Sequence, residues 1–179
     1  DTDEDGVGDN ADWAPNDPSE TADYDEDGIG DNADAFPQDP FETADTDMDG
    51  VGDNADEFPN DATQTTDGDG DGYGDNASGT NPDAFPEDAN EWVDTDGDGY
   101  GDNGDDFPND ATQNTDSDGD GYGDNPQGTT PDQFVNEATQ WADADNDGYG
   151  DNPDGVNPDA FPNDPAEHAD SDGDGVGDN

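Results

Sequence analysis

Apolar side chains are sparse along this chain of 179 residues, and they fall at fixed points. One set is Val7, Ile29, Val51, Tyr73, Tyr100, Tyr122, Tyr149 and Val176, each with glycine on both sides. A second is a single ring in each spacer that follows: Trp13, Phe36, Phe58, Phe85, Phe107, Phe134 and Phe161. A third, Trp92, Trp141 and His168, occurs only in longer spacers, where the shorter ones carry Thr21, Thr43, Thr65 and Asn114. Each unit thus has a minimal apolar cluster, and the third set reads as a cover for the longer spacer. After each ring comes a helix-start signal. Asp17-Pro18-Ser19-Glu20 has an N-cap residue, proline at the first helical position and an acid at the third, the pattern of a capping box. Asp39…Glu42, Asp61…Gln64, Asp88…Glu91, Asp110…Gln113 and Asp164…Glu167 repeat the spacing, and Asn136 to Gln140 blurs it. The pattern predicts little regular secondary structure: glycine-rich loops joined by linkers of one or two helical turns.

The loops are one motif, D-x-D-x-D-G-x-G-D-N, repeated eight times. The repeats span 1–22, 23–44, 45–66, 67–93, 94–115, 116–142, 143–169 and 170–179, the last incomplete. Two kinds of linker join the motifs, of 12 and of 17 residues, and the longer reads as the short form with five residues inserted just after the motif. The inserts, around Gly79, Gly128 and Gly155, hold Gly, Thr, Asn and Pro, which is turn chemistry. Starting and stopping within a motif, the chain reads as one stretch of a longer tandem array.

Charge sharpens the picture. There are 56 Asp and Glu, no Lys or Arg and one His, a formal net charge of −56. Hydrophobic residues make up 23%, against roughly 45–50% in an ordinary domain. One ring per repeat contributes on the order of 2–3 kcal/mol of burial, roughly a tenth of the cost of ordering 22 residues. A chain of this kind is expected to fold only with a cationic partner. Nucleic-acid binding is disfavoured because no cation meets the phosphates, and there is no run of about 20 apolar residues for a membrane span. Without cysteine, disulfides and thiolate metal sites are excluded.

The motif suits calcium, which takes 6–8 oxygen ligands. A loop supplying them uses carboxylates at positions 1, 3 and 5, glycine at 6, a backbone carbonyl at 7, often a water held by 9, and an acid at 12. Position 1 is Asp1, Asp23, Asp45, Asp67, Asp94, Asp116, Asp143 and Asp170. Position 3 is Asp3, Asp25, Asp47, Asp69, Asp96, Asp118, Asp145 and Asp172. Position 5 is Asp5, Asp27, Asp49, Asp71, Asp98, Asp120, Asp147 and Asp174. The position-7 carbonyls belong to Val7, Ile29, Val51, Tyr73, Tyr100, Tyr122, Tyr149 and Val176. Position 9 is Asp9, Asp31, Asp53, Asp75, Asp102, Asp124, Asp151 and Asp178. Position 12 is Asp12, Asp34, Asp56 and Asp105 in the short repeats, but Ser78 and Gln127 in two long ones, where an acid reappears five residues on as Asp83 and Asp132. If the insert bulges out, these displaced acids close the site. The seventh repeat offers both Asp154 and Asp159. One ion per repeat is the minimum expected, and two are compatible with the acid count. The Asn at position 10 is expected to close a turn through its amide. His168 has no companion that would make it a metal ligand.

These motifs, with the linker form D-N-A-D-A-F-P at Asp31 to Pro37, resemble thrombospondin type 3 repeats, in the cysteine-free form of bacterial surface and secreted proteins. The resemblance covers all eight motifs. It implies a chain wrapped around rows of calcium ions in an elongated, solenoid-like rod, with the acids at 1, 3, 5 and 12 and the carbonyl at 7 as ligands.

The expected role is structural: a calcium-rigidified segment of an extracellular or cell-surface fibre, stalk or filament, open to self-association. Extracellular calcium is millimolar, which suits weak modular sites, and near-identical units suit one-dimensional stacking. Alternatives are a calcium-dependent adhesion or docking module, and a polyanionic calcium reservoir or mineral-binding protein. Nothing in the sequence pairs a nucleophile with a base, so an enzyme is not expected. Asn76-Ala77-Ser78 is the one N-glycosylation acceptor, and Thr63, Thr65, Thr66, Thr129 and Thr130 are candidate O-glycan sites.

Overall fold

The computed structural model describes residues 1–178. Among them there is no helix and no extended strand. The backbone runs through turns and bends, with three isolated parallel bridges, Gly74–Pro82, Gly123–Pro131 and Gly150–Pro158. The chain divides into two compact units, Asp1–Trp92 and Val93–Asn179.

The helical turns expected in the linkers do not form. Each capping-box segment makes one turn closed by a single bond, as where Glu20 N–H donates to Asp17 C=O (3.0 Å) and Gln64 N–H to Asp61 C=O (2.9 Å). Asp17 Oδ1 does accept the Ser19 N–H (3.0 Å), so the acid caps its turn as expected. Nucleating a helix needs more than one such bond, and the chain is drawn elsewhere at once. Trp13 N–H donates to Thr21 C=O, and Ala35 to Thr43, Ala84 to Trp92 and Ala160 to His168 likewise, so each of these linkers folds back onto its own start.

The motif loops close at their base. Asp31 N–H donates to Ala22 C=O (2.8 Å), Asp75 to Thr66 and Asp151 to Ala142. The backbone must turn left-handed twice. Position-6 glycines such as Gly28 (φ 102°) take one of these turns. The other falls at position 4, where Glu4, Glu26, Met48 and Asn146 hold φ of 65–68° without being glycine.

The interior is polar. No apolar side chain is buried among the described residues. The fully buried side chains are Gln64, Gln113 and Gln140, each 1% exposed. The second half of the capping box fails for the same reason. Glu20, Glu42 and these glutamines do not reach back to the cap; they reach forward into the next motif. Glu20 accepts the Asn32 N–H (3.1 Å), and Gln64 the Asn76 N–H (2.9 Å). The position-8 glycine is where they lie: a Cβ on Gly30, Gly52, Gly74, Gly123, Gly150 or Gly177 would overlap the Glu or Gln of the preceding linker.

Candidate metal centre

The second repeat shows how each carboxylate is held. Asp23 is braced through both oxygens, Oδ1 accepting the Glu26 N–H (2.8 Å) and Oδ2 the Gly28 N–H (3.1 Å). Asp25 and Asp27 each use Oδ1 for the N–H two residues on, at 3.3 and 2.8 Å. Asp34 does the same for Phe36 (2.8 Å), and its own N–H donates to Gly30 C=O (2.9 Å). The remaining oxygens of Asp25, Asp27 and Asp34 are buried and accept no hydrogen bond. Backbone bonds thus fix three side chains with one free oxygen each.

The same set recurs. Asp3, Asp5 and Asp12 in the first repeat, Asp69, Asp71 and Asp83 in the fourth, and Asp118, Asp120 and Asp132 in the sixth carry buried, partnerless oxygens, with Asp47, Asp96, Asp145 and Asp159 elsewhere. Ligand atoms of positions 1, 3 and 5 lie within 4.8 Å of one another in Asp1/Asp3/Asp5, Asp23/Asp25/Asp27, Asp45/Asp47/Asp49, Asp67/Asp69/Asp71 and Asp94/Asp96/Asp98. In the eighth repeat, Asp172 and Asp174 are exposed.

The inserts bulge out, and the displaced acids return to the same place. In the short repeats Asp34 and Asp56 donate N–H to the glycine C=O four residues back. In the long repeats Asp83, Asp132 and Asp159 donate to Gly74, Gly123 and Gly150, nine residues back, at 2.8–2.9 Å. Asp83 and Asp159 are 4% and 5% exposed, whereas Ser78, Gln127 and Asp154 stay on the surface. Of the two acids offered by the seventh repeat, only Asp159 reaches the other carboxylates. The parallel bridges sit at the necks of the bulges, holding the return strand on the glycine at position 8.

Crowding shows in the electrostatics. The carboxyls of Asp25, Asp47, Asp69 and Asp145 are pushed above the ordinary carboxylate range, by desolvation first and by neighbouring carboxylates as well. The neighbours that raise them include Asp34, Asp56, Asp83 and Asp159 in turn, so position 12 and its displaced equivalents bear on position 3 alike. Asp105, Asp120 and Asp132 are raised for the same reasons.

Other expected site residues are engaged differently. Position 9 clasps the loop: Asp53 Oδ1 accepts the Thr46 N–H (2.7 Å) and Oδ2 the Thr46 hydroxyl (2.6 Å), and Asp31, Asp75, Asp102, Asp124, Asp151 and Asp178 likewise accept the position-2 N–H. The Asn at position 10 does more than close its own turn. Asn32, Asn54, Asn76, Asn125 and Asn152 donate Nδ2 to a carbonyl 13 residues back, tying each of these five motifs to the linker before it. At Asn76 this bond to Thr63 C=O (2.7 Å) engages the nitrogen that an N-glycan would take. His168 stacks on Tyr149 with ring centroids 3.8 Å apart, as Trp92 does on Tyr73 (5.1 Å) and Trp141 on Tyr122 (4.9 Å). The longer-spacer rings therefore cover position 7 of their own repeat. The sequence signal for this was their co-occurrence with Tyr at position 7, broken only at Tyr100, which faces Asn114 in the sequence pattern and is 55% exposed.

The donor set decides what the loops can hold. Buried carboxylate oxygens facing one another are costly without a partner, and this chain has no Lys or Arg to supply one. All-oxygen donors favour a hard divalent cation, and neither thiolates nor clustered imidazoles are present for zinc. No protein-family model matches the chain, and no curated protein matches it closely.

Proposed function

We propose that the chain is a calcium-ordered structural repeat segment of the thrombospondin type 3 kind, serving as a stiff element of an extracellular or cell-surface fibre, stalk or filament. What carries this reading is the recurrence of buried, partnerless carboxylate oxygens, at positions 3, 5 and 12 together in the first, second, fourth and sixth repeats and at one or two of those positions in the third, fifth and seventh. The first two units of charge at each site come from a divalent cation, with Asp23 and its equivalents from Asp45 to Asp170 bracing the loop and the position-7 carbonyl completing the shell. Metal binding is then also folding energy, which compensates for an interior with no buried apolar side chain among the described residues. Millimolar extracellular calcium matches sites of this modular type. The displaced acids Asp83, Asp132 and Asp159 serve the long repeats as Asp34 and Asp56 serve the short ones.

Isothermal titration with calcium, paired with small-angle scattering, tests it. The expected result is at least one ion per complete repeat, with a flexible coil in chelator becoming a stiff, elongated particle as calcium is added. Calcium binding with no gain in order would leave a polyanionic reservoir, and no binding at millimolar calcium would overturn the reading outright.

A further inference from the structure

The residue that reaches forward from each linker is not the same in all of them. Gln64, Gln113 and Gln140 precede the three repeats that carry inserts and are followed by a full linker; Glu20, Glu42 and Glu91 precede repeats without inserts. The hydrogen bonds give the reason. Gln64 accepts the Asn76 N–H and donates Nε2 to two carbonyls, Asn76 and Thr80, both at 3.1 Å. Thr80 lies inside the insert. Gln113 and Gln140 make the same bonds to Thr129 and Val156 of theirs, at 2.9 and 3.2 Å. A glutamate has no donor to offer these carbonyls, and an ionised one would repel them. The residue before each glutamine is threonine, and its hydroxyl accepts the next bond of the insert: Thr80 N–H to Thr63 Oγ1 at 2.7 Å, repeated at Thr112 and Thr139 at 2.8 Å. The insert glycine seals the contact, since a Cβ on Gly79 would overlap both Gln64 and the Thr63 carbonyl. In the short repeats Glu20 and Glu42 accept one N–H each, from Asn32 and Asn54, and no insert carbonyl exists to be satisfied.

We propose that the Thr–Gln pair of one linker is the positioning element that selects a long repeat as its successor, docking the five-residue insert so that the displaced acid lands among the loop carboxylates. Thr63 and Gln64 thus set where Asp83 sits, although neither belongs to the loop that Asp83 completes. The selection is a matter of hydrogen-bond polarity. A buried amide matches the insert carbonyls, and a buried carboxylate leaves them unpaired.

A double-mutant cycle in the full chain tests this. Deleting Ser78–Pro82 leaves D-N-A-D-A-F-P, the spelling of the short repeat at Asp31 to Pro37, and brings Asp83 to position 12. Gln64→Glu is made with and without that deletion. Calcium affinity is read by titration, and the thermal midpoint is read in parallel. With the insert present, Gln64→Glu should weaken the affected calcium step by about tenfold and lower the midpoint; without it, the effect should shrink to about twofold or less. Equal penalties in both backgrounds would overturn the proposal. Should Gln64→Glu fail to fold, the reciprocal graft decides. Ser-Gly-Thr-Asn-Pro placed between Ala55 and Asp56 should be accommodated alongside Phe41→Thr and Glu42→Gln, and should unfold the repeat in the parent linker. Equal tolerance in both would count against it. The inference rests on the calcium reading only for its affinity readout. If the parent chain binds no calcium, that reading fails, while coupling in the thermal midpoint still decides this one.

Discussion

At the scale of single residues, the seventh repeat offers a clean contrast, because it carries two acids only five positions apart. Asp159 is 5% exposed with a partnerless oxygen, and Asp154 lies on the surface with its own N–H bonded to Asn152. Asp159→Asn keeps the shape and removes the charge, so calcium affinity of that repeat should fall by about 1.5–3 kcal/mol, the worth of a buried charged contact. Asp154→Asn should leave affinity unchanged within the error of a titration. Calorimetry on the two variants side by side checks both, and equal effects would remove Asp159 from the site. A second contrast lies at position 8. A methyl on Gly30 would overlap the Glu20 side chain, while at Gly8 nothing stands within 4 Å. Gly30→Ala should therefore cost about 1–3 kcal/mol, and Gly8→Ala a small fraction of that, read as thermal midpoints in calcium.

At the scale of the loop and linker, backbone geometry and side-chain reach take over. Position 4 of each motif turns left-handed whatever residue is there, and at Glu26 and Met48 that conformation carries a penalty of about 1–2 kcal/mol relative to glycine. Glu26→Gly and Met48→Gly should each recover about 1 kcal/mol in chemical denaturation under saturating calcium; a loss would mean that these side chains stabilise the loop in some other way. The loops were legible in the sequence because liganding, turning and bracing all demand particular residues at fixed spacing. Asp25, Gly28 and Asp34 announce themselves, and so does the return of Asp83 after the insert. The linkers were misread for an equally physical reason. Asp17-Pro18-Ser19-Glu20 satisfies every local rule for a helix start, but local rules do not say that Gly30, ten residues on, leaves room for Glu20 to reach forward. That contact links one repeat to the next, and no single repeat spells it. Position 9 is expected from the motif alone to hold a water for the ion. An acid there suits a water-mediated contact or a clasp, and the position-2 N–H in each described motif engages it as a clasp.

At the scale of the whole chain, the balance is between 56 acids and whatever neutralises them. The raised carboxyls of Asp25, Asp47, Asp69 and Asp145 make that balance depend on pH in opposite directions with and without calcium. A group whose pKa is higher folded than unfolded favours the folded chain when protonated. Its contribution is complete below the ordinary carboxylate value and is lost as pH rises through the raised one. In chelator, then, order should increase as pH falls through the carboxylate range and vanish towards neutrality, where desolvated carboxylates repel one another unopposed. Calcium reverses the sign. The ion takes the deprotonated form, so protons compete with it, and the loaded chain should be most ordered near neutral pH and lose both metal and order on acidification. Near-ultraviolet circular dichroism follows the stacked pairs Tyr73–Trp92 and Tyr122–Trp141 directly, and a pH series from neutral down to about 3 in calcium and in chelator separates the two branches. Two curves of opposite slope are the expected result. Parallel curves would mean that the loop carboxylates do not govern folding, and the polar interior would then need another source of cohesion.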